Sequence, residues 1–135
     1  MILRLALIGF GNIGQEFAKL LVSRRGWLRE AAGLDVNVVV VATKTRGSLF
    51  SNEALNLGHV LETVDLKGHL SGYGREVTDL PPIEILQRCG ADIMVELTTL
   101  NIGTGQPAID HIEAAFNVGM HVITANKGPI AHAYH

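Results

Sequence analysis

Ile2-Leu3-Arg4-Leu5-Ala6-Leu7-Ile8 runs directly into Gly9-Phe10-Gly11-Asn12-Ile13-Gly14. The first stretch is apolar and β-compatible, with Arg4 its single charge, and reads as a buried strand ending at Gly9. From Ile13 the period changes. Ile13, Phe17, Leu20 and Leu21 recur at helical spacing while Gln15, Glu16 and Lys19 face elsewhere, so a helix is expected that frays near Ser23 to Gly26. A G-x-G-x-x-G loop between a strand and a helix is the context in which that pattern holds a dinucleotide pyrophosphate. Each glycine has a task. Gly9 permits the tight turn off the strand, Gly11 lets a phosphate reach the backbone, and Gly14 lets the helix pack close to the strand. The helix start then offers unpaired N–H groups and a positive dipole end.

Working outward, Val36 to Ala42 is rich in β-branched residues and apolar on both faces, the mark of a strand in a parallel sheet covered by helices. Thr43 to Gly58 is polar and turn-rich, with a short helix expected around Asn52 to Asn56. Val60 to Leu66 fits either a short helix or a weak strand, and Lys67 to Asp79 reads as loop. Pro82 to Cys89 reads as a helix stopped by Gly90, Ile93 to Leu97 as a strand, and His121 to Ala125 as the last strand. Thr104 to Val118 reads as a helix with Ala108, Ile112, Ala115 and Phe116 inward. The alternation predicts an α/β, Rossmann-type, doubly wound parallel sheet in three layers, with strand order 3-2-1-4-5 and the third strand short or absent. Residues 1–135 form one dinucleotide-binding domain on this reading. Gly128 to His135 looks like the start of a further helix, so the chain is expected to stop before a second, substrate-binding domain.

Ligands of such sheets lie beyond the carboxyl ends of the strands. An acidic residue about 20 positions after the glycine loop would hold the ribose of NAD. Asp35 has that distance but precedes the second strand, at the end opposite the loop. The strand's far end reads Thr43-Lys44-Thr45-Arg46. Two cations without a carboxylate favour a ribose carrying a 2′-phosphate, hence NADP preferred and NAD possible; the alternative is that Lys44 and Arg46 are solvated loop charges. Glu96-Leu97-Thr98-Thr99 ends the next strand. Thr98 and Thr99 either contact the ribose or nicotinamide or end the strand with local hydrogen bonds, and Glu96 beside them reads as structural. Lys127 follows the last strand, where it is either a functional cation or one surface lysine among many.

Composition excludes other classes. The formal charge is −2, and no basic block suggests nucleic acid. The longest apolar run, Val38 to Ala42, is far too short for a membrane span. No secretory signal is read at Met1. Cys89 is the single cysteine, which excludes an internal disulfide and fits a reducing, cytoplasmic location. The six histidines form no ligand set with carboxylates or the cysteine, so no metal site is expected.

Together these residues resemble the amino-terminal, NAD(P)-binding half of homoserine dehydrogenases. The glycine loop resembles that family's loop. So does the stretch from Gly105-Gln106-Pro107-Ala108 through Gly119-Met120-His121-Val122-Ile123-Thr124-Ala125-Asn126-Lys127-Gly128-Pro129, whose Ala-Asn-Lys-Gly-Pro ending is the more specific motif. The resemblance implies NAD(P)-dependent interconversion of L-homoserine and L-aspartate 4-semialdehyde. It implies that Phe10, Asn12 and Ile13 line the phosphate loop, that Thr98, Thr99 and Lys127 border the nicotinamide, and that Lys127 is a catalytic candidate. Family members continue into a domain with the main catalytic residues, a metal-cation site and a dimer sheet. These 135 residues are therefore expected to bind cofactor, to associate into homo-oligomers and to be inactive alone. A related amino-acid dehydrogenase, such as an aspartate dehydrogenase, and a dinucleotide-sensing module without chemistry are the alternatives.

Overall fold

β1 (Ile2–Ile8) lies at the centre of a mixed sheet in a computed structural model that describes residues 1–98 and 103–124. On one side it pairs in parallel with β2 (Asp35–Ala42), on the other with β5 (Ile93–Glu96), and β5 pairs in parallel with β6 (His121–Thr124). Beyond β2 lie β3 (Ser48–Phe50) and β4 (Val77–Thr78), giving the order β4-β3-β2-β1-β5-β6 among the described residues. The neighbour order and the short third strand agree with expectation. The direction of β3 does not: it runs antiparallel to β2, and β4 antiparallel to β3. Only residues 43–47 join β2 to β3. A parallel partner needs a crossover of a dozen residues or more, so so short a link can close only a hairpin.

Four helices among the described residues cover the two faces: α1 (Asn12–Ala32), α2 (Leu57–Lys67), α3 (Pro82–Arg88) and α4 (Ala108–Asn117). Alternation along β1 divides the core. Leu5 and Leu7 join Ala18, Val60 and Val64 under α1 and α2, whereas Ala6 and Ile8 join Ile85, Leu86, Ala114 and Ala115 under α3 and α4. Both faces are therefore buried, which is why Leu5 to Ile8 and Val38 to Ala42 read as unbroken apolar runs. Pairing of β1 with β2 skips one residue, between Leu5↔Val38 and Ala6↔Val40. The extra Val39 is buried all the same.

The helices depart from expectation in instructive ways. α1 does not fray near Ser23 to Gly26 but continues to Gly33, whose left-handed conformation (φ 65°) directs its N–H back to the Leu28 carbonyl. One interior glycine costs a helix only about 1 kcal/mol, too little to end it before a proper stop. Of the face expected for α1, Phe17 and Leu21 pack against the core, but Ile13 and Leu20 do not. Gly14 and Ala18 are buried, while Ile13 is 63% and Leu20 55% exposed. Close approach to the sheet requires the smallest side chains at the contact line and moves Ile13 and Leu20 to the rim. Asn52 to Asn56 is not helical; Asn56 instead caps α2, its Oδ1 accepting the His59 N–H. α4 starts four residues later than expected and buries His111 and Ala114 with Ala108 and Ala115, leaving Phe116 61% exposed. Lys67 to Asp79, read as loop, contributes β4. No helix among the described residues is long and apolar enough to cross a membrane. The helix expected at Gly128 to His135 falls outside the described residues.

Candidate functional site

The carboxyl ends of β1, β2 and β5 meet at one point. Ile8 is in register with both Ala42 and Glu96. Immediately beyond, the Gly9 N–H donates to the Ala42 carbonyl (2.7 Å) and the Leu97 N–H to the Ile8 carbonyl (2.7 Å). Gly9 has φ 102°, and a Cβ there would lie 2.6 Å from the carbonyl carbon and oxygen of Leu97 and 2.8 Å from the Thr98 nitrogen. Conformation and space both exclude a side chain. A Cβ on Gly14 would lie 2.8 Å from the Gly9 carbonyl oxygen, so the helix can approach the turn only as glycine.

Gly11 is different in kind. A Cβ built there meets nothing within 4 Å among the described residues. No packing contact among them requires glycine there, and the loop is open on that side. α1 begins at the next residue with no side-chain cap and no acidic residue in its first turn. The first N–H groups of a helix have no intrahelical acceptors, and with the dipole they favour an anion. An open glycine beside an uncapped helix start fits a pyrophosphate approaching the backbone. Asn12 and Ile13 are exposed at this start, whereas Phe10 is buried with the α1–α2 core. Phe10 thus anchors the loop through its ring, and its carbonyl accepts from Gln15 Nε2 (3.1 Å).

Past β2 the chain turns on Thr43. Its hydroxyl donates to the Gly47 carbonyl (2.6 Å) and accepts the Arg46 N–H (2.8 Å), and its own N–H donates to Ser48 Oγ (3.2 Å). This local network holds Lys44 exposed and Arg46 half-buried at the sheet's carboxyl edge. Among the described residues, neither cation pairs with a carboxylate. Asp35 sits at the other end of β2, in register with Ile2 and ion-paired to Arg29 (2.9 Å). Sequence reasoning missed His69 here. Its ring lies over the turn, with Cε1 2.9 Å from where a Gly47 Cβ would be, and the Leu70 N–H donates to the Arg46 carbonyl (2.7 Å). Nothing local in the sequence ties residue 69 to residue 47.

At the end of β5, Glu96 is fully buried (0% exposed). It accepts the Thr98 N–H (2.9 Å), the Thr98 hydroxyl, and His111 Nδ1–H (2.9 Å) from α4. The Thr98 N–H and hydroxyl are the donors of their two bonds, and beside a carboxylate the third is assigned with His111 Nδ1–H as donor. His111 is also buried and was overlooked; its signal was its place in the helical period, three residues after Ala108 and four before Ala115. Thr98 stands against Gly9, so the third candidate group joins the glycine loop. Thr99 and Lys127 lie outside the described residues.

Comparison with known proteins agrees with this geometry. The family model described as homoserine dehydrogenase, NAD binding domain, matches residues 9–135. A homoserine dehydrogenase of Methanocaldococcus jannaschii is 33% identical over 128 residues, which cover 95% of this chain and 38% of that protein. An NAD(+)-dependent homoserine dehydrogenase of Pseudomonas canavaninivorans is 31% identical over 128 residues, covering 95% of this chain and 36% of the relative. Among solved structures, a hyperthermophilic archaeal homoserine dehydrogenase in complex with NADPH superposes with a TM-score of 0.81 at 25% identity, over 99% of this chain and 39% of that one. The chain spans less than two fifths of the length of these relatives. With the glycine loop at a strand–helix junction, the matching sheet and a family match over nearly all its residues, the chain belongs to the family of homoserine dehydrogenase NAD-binding domains.

Proposed function

We propose that this chain is the nicotinamide-dinucleotide-binding part of an oxidoreductase that interconverts L-homoserine and L-aspartate 4-semialdehyde with NAD(P)H. The observation that carries the reading is the uncapped start of α1 beside an open Gly11, held between the Thr43–Arg46 turn and Thr98. In this proposal Gly9, Phe10, Gly11, Asn12, Ile13 and Gly14 bind the pyrophosphate, chiefly through backbone N–H groups. Lys44 and Arg46 bind a ribose 2′-phosphate, so NADP is preferred over NAD. The relatives include both an NAD(+)-dependent enzyme and one in complex with NADPH, so family membership leaves the choice to these side chains. Thr98, Thr99 and Lys127 border the nicotinamide end, with Lys127 the candidate catalytic cation.

The bound cofactor would supply the two-electron redox chemistry; the chain's own residues bind, orient and shield it. Residues 1–135 act as one dinucleotide-binding domain in this proposal, and substrate-holding residues come from a further domain, as suits a match to less than two fifths of each relative. Positioning of substrate against cofactor can supply about 7–11 kcal/mol of a barrier, so without that domain the chemistry stalls. A cytoplasmic homo-oligomer belongs to the same proposal, which sedimentation of the pure chain checks. The central test is fluorescence titration with NADPH and NADH. Saturable binding of NADPH, tighter than NADH, is expected; no binding of either would overturn the proposal.

A further inference from the structure

Among the described residues no carboxylate other than Glu96 is buried. Burying a carboxyl group is costly, and a well-packed apolar side chain of similar volume would fill the same space as well or better. Core packing therefore does not explain a glutamate at this position. Its hydrogen bonds do. Glu96 gathers the backbone N–H and hydroxyl of Thr98 on one side and His111 Nδ1–H of α4 on the other. It does so at the residue in register with Ile8, one step before Gly9. The Thr98 nitrogen it holds lies against the Gly9 turn, 2.8 Å from the place a Gly9 Cβ would take. A buried network satisfied in this way rigidifies what it joins, and here it joins the end of β5 to α4 at the mouth of the site.

We propose that Glu96 and His111 are positioning residues for the nicotinamide half of the cofactor site, holding Thr98 in one backbone and hydroxyl orientation against the glycine loop. This rests on the cofactor reading above. Glu96 is fully buried and acts through Thr98. The adenine half of the cofactor, bound at the α1 start and the Thr43–Arg46 turn, is independent of the pair. A merely structural role would make no such distinction between halves.

The test compares NADPH with 2′,5′-ADP, which carries only the adenine half, by equilibrium titration of the 135-residue chain. His111→Leu removes the donor to Glu96. Its affinity for NADPH should fall about tenfold, as expected for a lost hydrogen bond to a charged group, while that for 2′,5′-ADP stays within about twofold. His111→Asn keeps an N–H near the Nδ1 position and should restore NADPH binding to within about threefold of the parent. Glu96→Gln keeps the shape and removes the charge; it should show the same nicotinamide-selective loss and carries the comparison should His111→Leu not fold. Parallel loss of both ligands, loss of neither, or an Asn variant as weak as the Leu variant would overturn the inference. If the parent chain binds neither ligand, the cofactor reading itself fails, and this inference with it.

Discussion

A single methyl group separates the two tasks of the glycine loop. In Gly11→Ala the new Cβ meets no atom of the described residues within 4 Å, and the residue's φ of −78° suits any L-amino acid. Alanine is a poorer helix cap than glycine, so the fold should lose no more than about 1 kcal/mol. A pyrophosphate lying on the backbone would collide with that methyl. Forcing an extra methyl into a filled contact costs about 1–3 kcal/mol, which corresponds to a loss of roughly five- to over a hundredfold in NADPH affinity. Gly9→Ala is the converse. Its Cβ would stand 2.6 Å from Leu97 backbone atoms in a residue with φ 102°. A left-handed or otherwise sparsely populated backbone costs about 1–3 kcal/mol and overpacking about as much again. Together these make about 2–6 kcal/mol, a large part of a typical domain's total stability of about 5–15 kcal/mol. Thermal unfolding should therefore show a Tm lower by no more than about 4 °C for Gly11→Ala and by roughly 7–20 °C for Gly9→Ala, while NADPH titration ranks Gly11→Ala as a weak binder with an intact fold. A Gly11→Ala protein that binds NADPH like the parent, or one that loses binding only in proportion to stability, would refute the placement of the phosphates.

Arg46→Ala should weaken NADPH roughly ten- to a hundredfold, for a charge-assisted contact of about 1.5–3 kcal/mol, and leave NADH nearly unchanged; equal loss of both, or a parent preference for NADH, would contradict the 2′-phosphate role. The 135-residue chain should bind NADPH without homoserine-dependent cofactor turnover; robust turnover abolished by Lys127→Ala would place the essential chemistry within these residues. Burial pushes the Cys89 thiol pKa up, against the lowering effects of backbone hydrogen bonds and Arg4. Thiolate is the reactive form, so Cys89 should react with a disulfide reagent at neutral pH far more slowly than a free thiol until denaturant is added, and rapid stoichiometric labelling of the folded chain would contradict its burial.

Several features were legible because they are local. The run Ile2–Ile8, the glycine spacing of 9, 11 and 14 and the change of period at Ile13 each depend on residues within one or two turns of one another, and they define the strand–loop–helix unit. The cation-bearing turn after β2 was legible for the same reason, as was Asp35's place at the wrong end of that strand. Features that failed to show were those in which one segment's conformation answers to another. The direction of β3 follows from the short link that Thr43 closes and from the edge it shares with β4. The exposure of Ile13 and Leu20 follows from how near α1 comes to the sheet, with Gly14 and Ala18 on the line of closest contact and Phe17 and Leu21 packed beside it. Glu96 and His111, fifteen residues apart, looked like a strand-end charge and a helix histidine. Sequence by itself thus determined the family of sheet, the glycine loop between strand and helix and the candidate cations, because backbone propensity and spacing act locally. The tertiary structure alone decided which face of each helix is buried and that a buried carboxylate holds Thr98 at the site, because the partners of a buried polar group are set by how distant elements pack.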